Sequence, residues 1–359
     1  MSTPNVLNDW LHLTTQRGAS DLHLVAGEAP AFRINGEIQI DASLPPVPSA
    51  ALQGWLDEAL SAQQRSVFAR ELELDFALEV APWGRFRGNA SLARGSLTLV
   101  FRHITELSLD PEALGLPKAC QELALRPKGL VIVTGVTGSG KSTTLAAMLE
   151  VINRTTSKRV VTLEDPIEYV FNNRRSVITQ RQVGSDTHSF VSALNHVLRQ
   201  NPDVIMVGEA RDATTFGAAL TASETGHLVL TTAHAPSAVQ TVERIIDMFA
   251  PHHQYQVRSQ LASILEGVLY QRLVPRADGK GRVAAVEVML GTGAVRNLIR
   301  EGKTHQLFSA IQLGAAQGMQ TLDQALQRLL NQRVITEETA VMYGLEPAQF
   351  RSGLTAGTR

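Results

Sequence analysis

The chain has 359 residues, 44% of them hydrophobic and 19% charged, with 33 basic against 34 acidic side chains and a formal net charge of −1. This composition suits a folded protein of about two domains, excludes a disordered or fibrous chain, and gives no global attraction to nucleic acid or anionic lipid. The single cysteine, Cys120, excludes an internal disulfide and a cysteine-rich zinc site; with no signal-like N-terminus and no run of about 18 apolar residues, a cytosolic protein is expected.

Residues 5–16, NVLNDWLHLTTQ, read as a helix, and SDLHLVAG and PAFRINGEIQI as strands broken by Gly27 and Pro30. PSAALQGWLDEALS follows as a helix with Ser49 as its N-cap, and then LELDFALEV, GRFRGNASL and SLTLVFRHI as strands. Residues 1–108 are therefore expected to form a small α+β domain. The next stretch holds Pro111, Pro117 and Pro127 with little strand character, which places a linker at 109–128. From 129 to 291 short apolar strands (GLVIVTG, RVVTLED, DVIMVGE, HLVLTTAH, RVAAVEVML) alternate with helices, the rhythm of a nucleotide-binding α/β sheet. Residues 292–359 read as a helical region with Gly and Thr punctuation.

The segment TGVTGSGKST carries G-x-x-x-x-G-K-S after a strand and before a helix, the context that makes a phosphate-binding loop. Gly135, Gly138 and Gly140 let backbone N–H groups, those of Thr137, Ser139 and Thr143 among them, curl around a phosphate at the helix N-terminus. Lys141 can reach the β- and γ-oxygens of ATP, and the Ser142 hydroxyl can ligate Mg²⁺.

Three later strand ends carry polar residues where an open α/β sheet keeps its sites. In TLEDPIEY, Glu164, Asp165 and Glu168 form a cluster that a cation would relieve, although a solvated acidic turn gives the same pattern. In PDVIMVGEARD an apolar strand runs into Glu209, the form of a Walker B acid that holds Mg²⁺ directly or through water. In ETGHLVLTTAH, His227 opens a strand and His234 follows its end; either ring can sense a γ-phosphate, while a lone histidine at a strand end is ordinarily structural.

Together the loop, EDPIE, GEARD and the stretch from His227 to His234 resemble the secretion and type IV pilus ATPase family in order and spacing. GASDLHLVAG, RFRGNA, LAAMLE, AVRNLIREGK and GMQTLD extend the resemblance to its pilus-retraction branch over nearly the whole chain, with a departure at LTTAHAPSAVQ. The resemblance implies an N-terminal PAS-like domain joined to a RecA-like P-loop ATPase domain, in a homohexameric ring at the inner face of the inner membrane. The partner implied is an inner-membrane pilus platform protein, with no nucleic acid and only peripheral contact with the membrane machinery. It further implies that Lys141 and Ser142 hold Mg-ATP, that Glu209 is the Walker B acid, that Glu164 orients the attacking water, and that Arg85, Arg87 and Arg102 supply charge to the γ-phosphate. Read by themselves, those alternating arginines fit a solvated strand face equally well. Assembly and secretion ATPases share the four motifs but are typically longer and usually carry a four-cysteine zinc insertion; a DNA-translocating motor calls for a basic stripe that this neutral composition does not favour. A non-hydrolysing accessory paralogue is disfavoured by the intact Lys141, Glu164 and Glu209.

In AVRNLIREGK, helical spacing sets Val295, Leu298 and Ile299 on one face and Arg296, Arg300 and Lys303 on another. A solvated basic face is the plain reading; the resemblance implies a surface that couples ring motion to the pilus machinery.

Overall fold

The computed structural model describes residues 6–34, 36–104 and 108–351, so residues 105–107, near the end of the expected first domain, and the end of the C-terminal helical region lie outside the described residues. The chain divides into two compact units, Met1–Leu107 and Ser108–Arg359.

The first unit is a six-stranded antiparallel sheet with helices on one face. Its elements are α1 (Val6–Gln16), β1 (Asp21–Val25), β2 (Ala31–Ile34), β3 (Glu37–Ile40), α2 (Ser49–Ala59), α3 (Ala62–Glu71), β4 (Glu73–Val80), β5 (Gly84–Ala93) and β6 (Ser96–Ile104). Strand order is β3-β2-β1-β6-β5-β4. Alternation sends Leu22, Phe32, Phe86 and Phe101 into a core with Leu11 of α1 and Leu52 and Leu56 of α2, and sends the polar residues between them to the opposite face. Two expectations change here. Ser49 is not the cap of α2: Pro48 occupies that position and makes no side-chain cap bond. Helix α3 was not foreseen, because it buries no residue and has no apolar stripe; its start is fixed by a capping box between Ser61 and Gln64.

The second unit is a seven-stranded sheet between helical layers. It comprises α4 (Lys118–Ala124), β7 (Gly129–Thr134), α5 (Lys141–Thr155), β8 (Arg159–Glu164), β9 (Val177–Gln182), α6 (Phe190–Val197), β10 (Val204–Val207), α7 (Ala213–Glu224) and β11 (Leu228–Ala233), followed by α8 (Ala238–Asp247), α9 (Gln254–Ile264), β12 (Leu265–Pro275), β13 (Arg282–Leu290), α10 (Gly293–Arg300), α11 (Leu307–Leu313), α12 (Leu322–Asn331) and α13 (Glu337–Tyr343). Strand order is β13-β12-β7-β11-β10-β8-β9. All neighbours are parallel except β12 and β13. Strands β7, β10 and β11 are buried along their whole length, which is why they read as unbroken apolar runs. Helices α4 and α5 cover one face through Cys120, Leu123, Met148 and Leu149, while α6 to α11 cover the other through residues such as Phe216, Leu261 and Ile299. Helices α12 and α13 close over β12 and β13. The stretch expected as a linker thus contains α4, whose Cys120 is fully buried, and the C-terminal helices belong to the same unit as the sheet. No helix among the described residues is long and apolar enough to cross a membrane.

Candidate active site

Parallel strands β7, β11, β10 and β8 lie side by side and point the same way, so the segments leaving their C-terminal ends share one edge of the sheet. The Gly135–Gly140 loop follows β7, His234 follows β11, Glu209 lies just beyond β10, and Glu164 ends β8. These are the residues that the strand-end motifs singled out, and the fold gathers them.

The loop can take its shape only because glycine stands where the chain is crowded. A Cβ on Gly135 would lie 2.4 Å from Gln271 O, and one on Gly140 2.8 Å from Gln271 Nε2; both glycines also have positive φ. Lys141 is buried, and its Nζ donates to Gly135 O and Val136 O, each at 3.0 Å. Burial lowers the Lys141 pKa, against the pull of the Glu209 and Glu168 carboxylates. Thr137, Gly138 and Ser142 are exposed, the Ser139 hydroxyl is buried without a partner, and Thr143 Oγ1 lies 2.8 Å from the Tyr169 hydroxyl.

Glu164 is 7% exposed. Its Oε1 accepts from Thr162 Oγ1 at 2.5 Å and from Gln180 Nε2 at 3.0 Å. Burial drives its pKa up, opposed by those two hydrogen bonds and reinforced by the neighbouring Glu168. Such a carboxyl is a stronger base than an exposed one. Strand β9 supplies the frame: Gln180 also donates to Tyr169 O and accepts from Phe171 N, and Gln182 accepts from Ile167 N, so two glutamines hold the acidic turn in place.

Glu209 Oε1 lies 2.5 Å from Arg211 Nε and 2.6 Å from His234 Nε2, close charge contacts rather than well-aligned hydrogen bonds. Burial raises the Glu209 pKa, yet the two bases outweigh it and the net shift is downward, which keeps this acid ionised. The His234 segment is pinned where Ala235 N donates to Thr134 Oγ1 at 3.0 Å and Arg244 donates to His234 O at 2.5 Å.

His227 is not brought to this edge. It precedes β11, and its carbonyl accepts from Gly129 N at the start of β7, so a strand of six residues separates it from the loop within this chain. At roughly 3.3 Å per residue that is about 20 Å. Its ring instead contacts Ala222 O at 3.0 Å. Of the two rings expected as able to sense a γ-phosphate, only that of His234 lies at this edge within one chain.

Arg85, Arg87 and Arg102 belong to the first unit. Arg102 Nε donates to Asp21 Oδ1 at 2.8 Å and Arg87 Nη2 to Asp75 Oδ2 at 3.1 Å, while Arg85 Nε is buried without a partner. Asp21, 4% exposed, is raised by burial but held below the ordinary carboxylate range by Ser20 and Arg102. Arg102 and Arg87 are thus solvent-exposed side chains that also pair with carboxylates of their own unit.

The basic stripe is also corrected. Helix α10 ends at Arg300, so Lys303 lies beyond it, where it pairs with Glu301 at 2.8 Å. Arg296 turns back onto the protein: it donates to Gly291 O at 2.6 Å and to Ser263 O, and pairs with Glu266 at 2.6 Å. Arg300 is exposed at the end of the helix and Lys303 is exposed beyond it, while Arg296 is not.

No group of three His, Cys, Asp or Glu side chains able to hold a metal occurs among the described residues. The Ser142 hydroxyl and the Glu209 carboxylate nevertheless suit Mg²⁺, which takes few protein ligands and completes its shell with phosphate oxygens and water. Gln271, Gln180, Thr162, Tyr169 and Arg211, which organise the site, escaped sequence reasoning. Arg211 alone had a local signal, its place two residues after Glu209 in GEARD.

Residues 95–341 match the family described as Type II/IV secretion system protein. The chain is 44% identical over 344 residues to the type IV pilus retraction ATPase PilT of Pseudomonas aeruginosa, covering 96% of this chain and 99% of that protein. It is 44% identical over 311 residues to a twitching motility protein of Neisseria gonorrhoeae, covering 87% and 83%. A crystal structure of the pilus retraction motor PilT with bound ADP superposes with a TM-score of 0.87 at 42% identity, covering 96% of this chain and 98% of that one. With its mixed α/β fold, the match over residues 95–341 and 44% identity to a member over nearly its full length, the chain belongs to the type II/IV secretion system protein family.

Proposed function

We propose that this chain is a Mg-dependent ATPase motor that drives type IV pilus retraction. The observation that carries the reading is the alignment of the phosphate loop, Glu164, Glu209 and His234 along one edge of a parallel sheet, in a chain that matches a retraction ATPase over nearly its full length. The first unit is read as PAS-like and the second as a RecA-like core, assembled as a homohexamer that acts on an inner-membrane platform protein from the cytoplasmic side.

In this reading the N–H groups of the loop cradle the β-phosphate and Lys141 leaves the Gly135 and Val136 carbonyls to meet the phosphate oxygens. The buried Ser139 hydroxyl, without a protein partner, is a polar atom that bound phosphate can satisfy. Ser142 and Glu209 would hold Mg²⁺, which when bound would neutralise phosphate charge. Glu164, its Oε1 fixed by Thr162 and Gln180, uses its other oxygen to orient a water in line with the γ-phosphorus and to take its proton. Glu209 and His234 form a pair that can respond to the γ-phosphate. Arg85, Arg87 and Arg102 add positive charge from the first unit of this chain or of a neighbouring subunit.

The test is ATP hydrolysis by the purified chain with and without Mg²⁺, beside size-exclusion chromatography with and without nucleotide. Mg-dependent turnover from a species of about six chains is expected. Turnover no higher than that of Lys141→Ala would overturn the reading.

A further inference from the structure

Gln271 on β12 is 2% exposed, yet both ends of its amide are engaged on the phosphate loop and the helix that follows it. Its Nε2 donates to Ser139 O at 2.8 Å, and its Oε1 accepts from Thr144 Oγ1 at 2.6 Å. The reverse amide orientation would set Oε1 against the Ser139 carbonyl oxygen, so the loop itself fixes which way the amide points. The same residue crowds both glycines: its carbonyl blocks a Cβ at Gly135 and its Nε2 blocks one at Gly140. One buried glutamine is thus the floor on which the loop is laid.

The peptide joining Ser139 to Gly140 is planar and trans, so its C=O and N–H point in opposite directions. With the carbonyl held down on Gln271, the Gly140 N–H faces away from it, in a loop whose Val136, Thr137 and Gly138 are exposed. We propose that Gln271 is a positioning residue for phosphate binding, fixing the Ser139–Gly140 peptide so that its N–H is presented to the β-phosphate of a nucleoside diphosphate or triphosphate. Thr144 is the second part of the device, because its hydroxyl stops the amide from rotating. The inference rests on reading Gly135–Thr143 as the phosphate loop. Strand β12 reaches the loop from outside the motif, and nothing in the G-x-x-x-x-G-K-S pattern specifies it.

The experiment uses the full chain and fluorescent ADP, with AMP as a competitor that lacks the β-phosphate. Gln271→Leu should weaken ADP binding about tenfold or more, which is about 1.4 kcal/mol, and leave AMP binding unchanged. Thr144→Val should lose part of that affinity and Thr144→Ser should keep it. A purely structural role would move ADP and AMP together through the folded fraction. Equal losses for both ligands, or wild-type ADP affinity in Gln271→Leu, would overturn the proposal. Should Gln271→Leu not fold, Thr144→Val decides: unchanged ADP affinity overturns the proposal, and a selective loss of ADP supports it. Lys141→Ala separates the two readings. If it loses ADP while the folded Gln271 variant does not, the phosphate site stands and the positioning role fails; if Lys141→Ala binds ADP normally, both fail.

Discussion

Glu209 and His234 leave neighbouring strands, yet their side chains meet with Oε1 and Nε2 at 2.6 Å. The strands are held in parallel register from Val204↔Leu228 to Val207↔Thr231, and Thr232 Oγ1 ties them past that point by donating to Gly208 O at 2.7 Å. On the other side of β10, Gly208 allows close packing on β8, where a Cβ would stand 3.2 Å from Leu163 O. An acid and a base from separate motifs are thereby fixed as one unit at the sheet edge that carries the Gly135–Gly140 loop.

The pair gives a pH dependence with a definite sign. Burial raises the Glu209 pKa, but Arg211 and His234 hold it below its ordinary 4.5. The folded state therefore binds this proton less readily than the unfolded chain, and the stabilisation is complete above pH 4.5 and lost as pH falls through the lower folded value. Screening limits it to about 1 kcal/mol. Urea unfolding of wild type and Glu209→Gln should differ by a constant amount at neutral pH, and the difference should shrink below pH 4.5. A difference that persists unchanged in acid would show that the contacts of Glu209 do not depend on its charge.

Glu164 behaves in the opposite sense. Burial raises its pKa, so the folded state holds its proton more tightly; its favourable contribution exists below pH 4.5 and is lost as pH rises through the folded value. At neutral pH the ionised form costs stability. Glu164→Gln, which keeps an oxygen for Thr162 and Gln180, should raise the Tm of the nucleotide-free protein by about 2 °C or more. The same change should lower kcat by about 100-fold. Wild-type turnover in this variant would move the role of base to Glu209.

Arg296 and Arg300, four residues apart on α10, should part company. Arg296→Glu breaks the Glu266 pair and frees carbonyls at Gly291 and Ser263, and should cost about 2 kcal/mol in denaturant unfolding. Arg300→Glu, on an exposed residue, should cost less than about 0.5 kcal/mol. Equal stability of the two variants would return Arg296 to a solvated face. Only the Arg300 variant is a clean test of coupling in cells.

Charge supplied by the first unit can be tested at Arg102. Arg102→Gln can keep a hydrogen-bond donor for Asp21 and should reduce kcat by about 100-fold without unfolding the unit. Arg102→Glu sets a second carboxylate against the buried Asp21 and should also lower Tm. Unchanged kcat in Arg102→Gln would exclude this arginine from the chemistry.

How much of this was legible follows from how each residue is held. Strands β8, β10 and β11 are short apolar runs that stop at or just before Glu164, Glu209 and His234, so both the elements and the polar residues at their ends could be read. Strand β9, VITQRQ, lies at a sheet edge and is only partly buried, and its glutamines have no apolar pattern to mark it. Gln271 was hidden for a different reason: α9 ends at Ile264 and β12 begins at Leu265, with no turn residue to signal a new element. In α3 the Ser61 to Gln64 capping box was the only signal available. Helical spacing correctly buried Val295 and Ile299, but it could not show that Arg296 folds back onto Glu266, a contact spanning thirty residues.

The most direct measurement is twitching motility in cells whose own retraction ATPase gene is replaced by this chain, either wild type or Glu164→Gln, at matched expression. The expected result is surface spreading with the wild-type chain and none with Glu164→Gln, although both proteins fold and bind ATP. Equal spreading with the two chains, or none with a wild-type chain that hydrolyses ATP in the same cells, would contradict the assignment of this ATPase to pilus retraction.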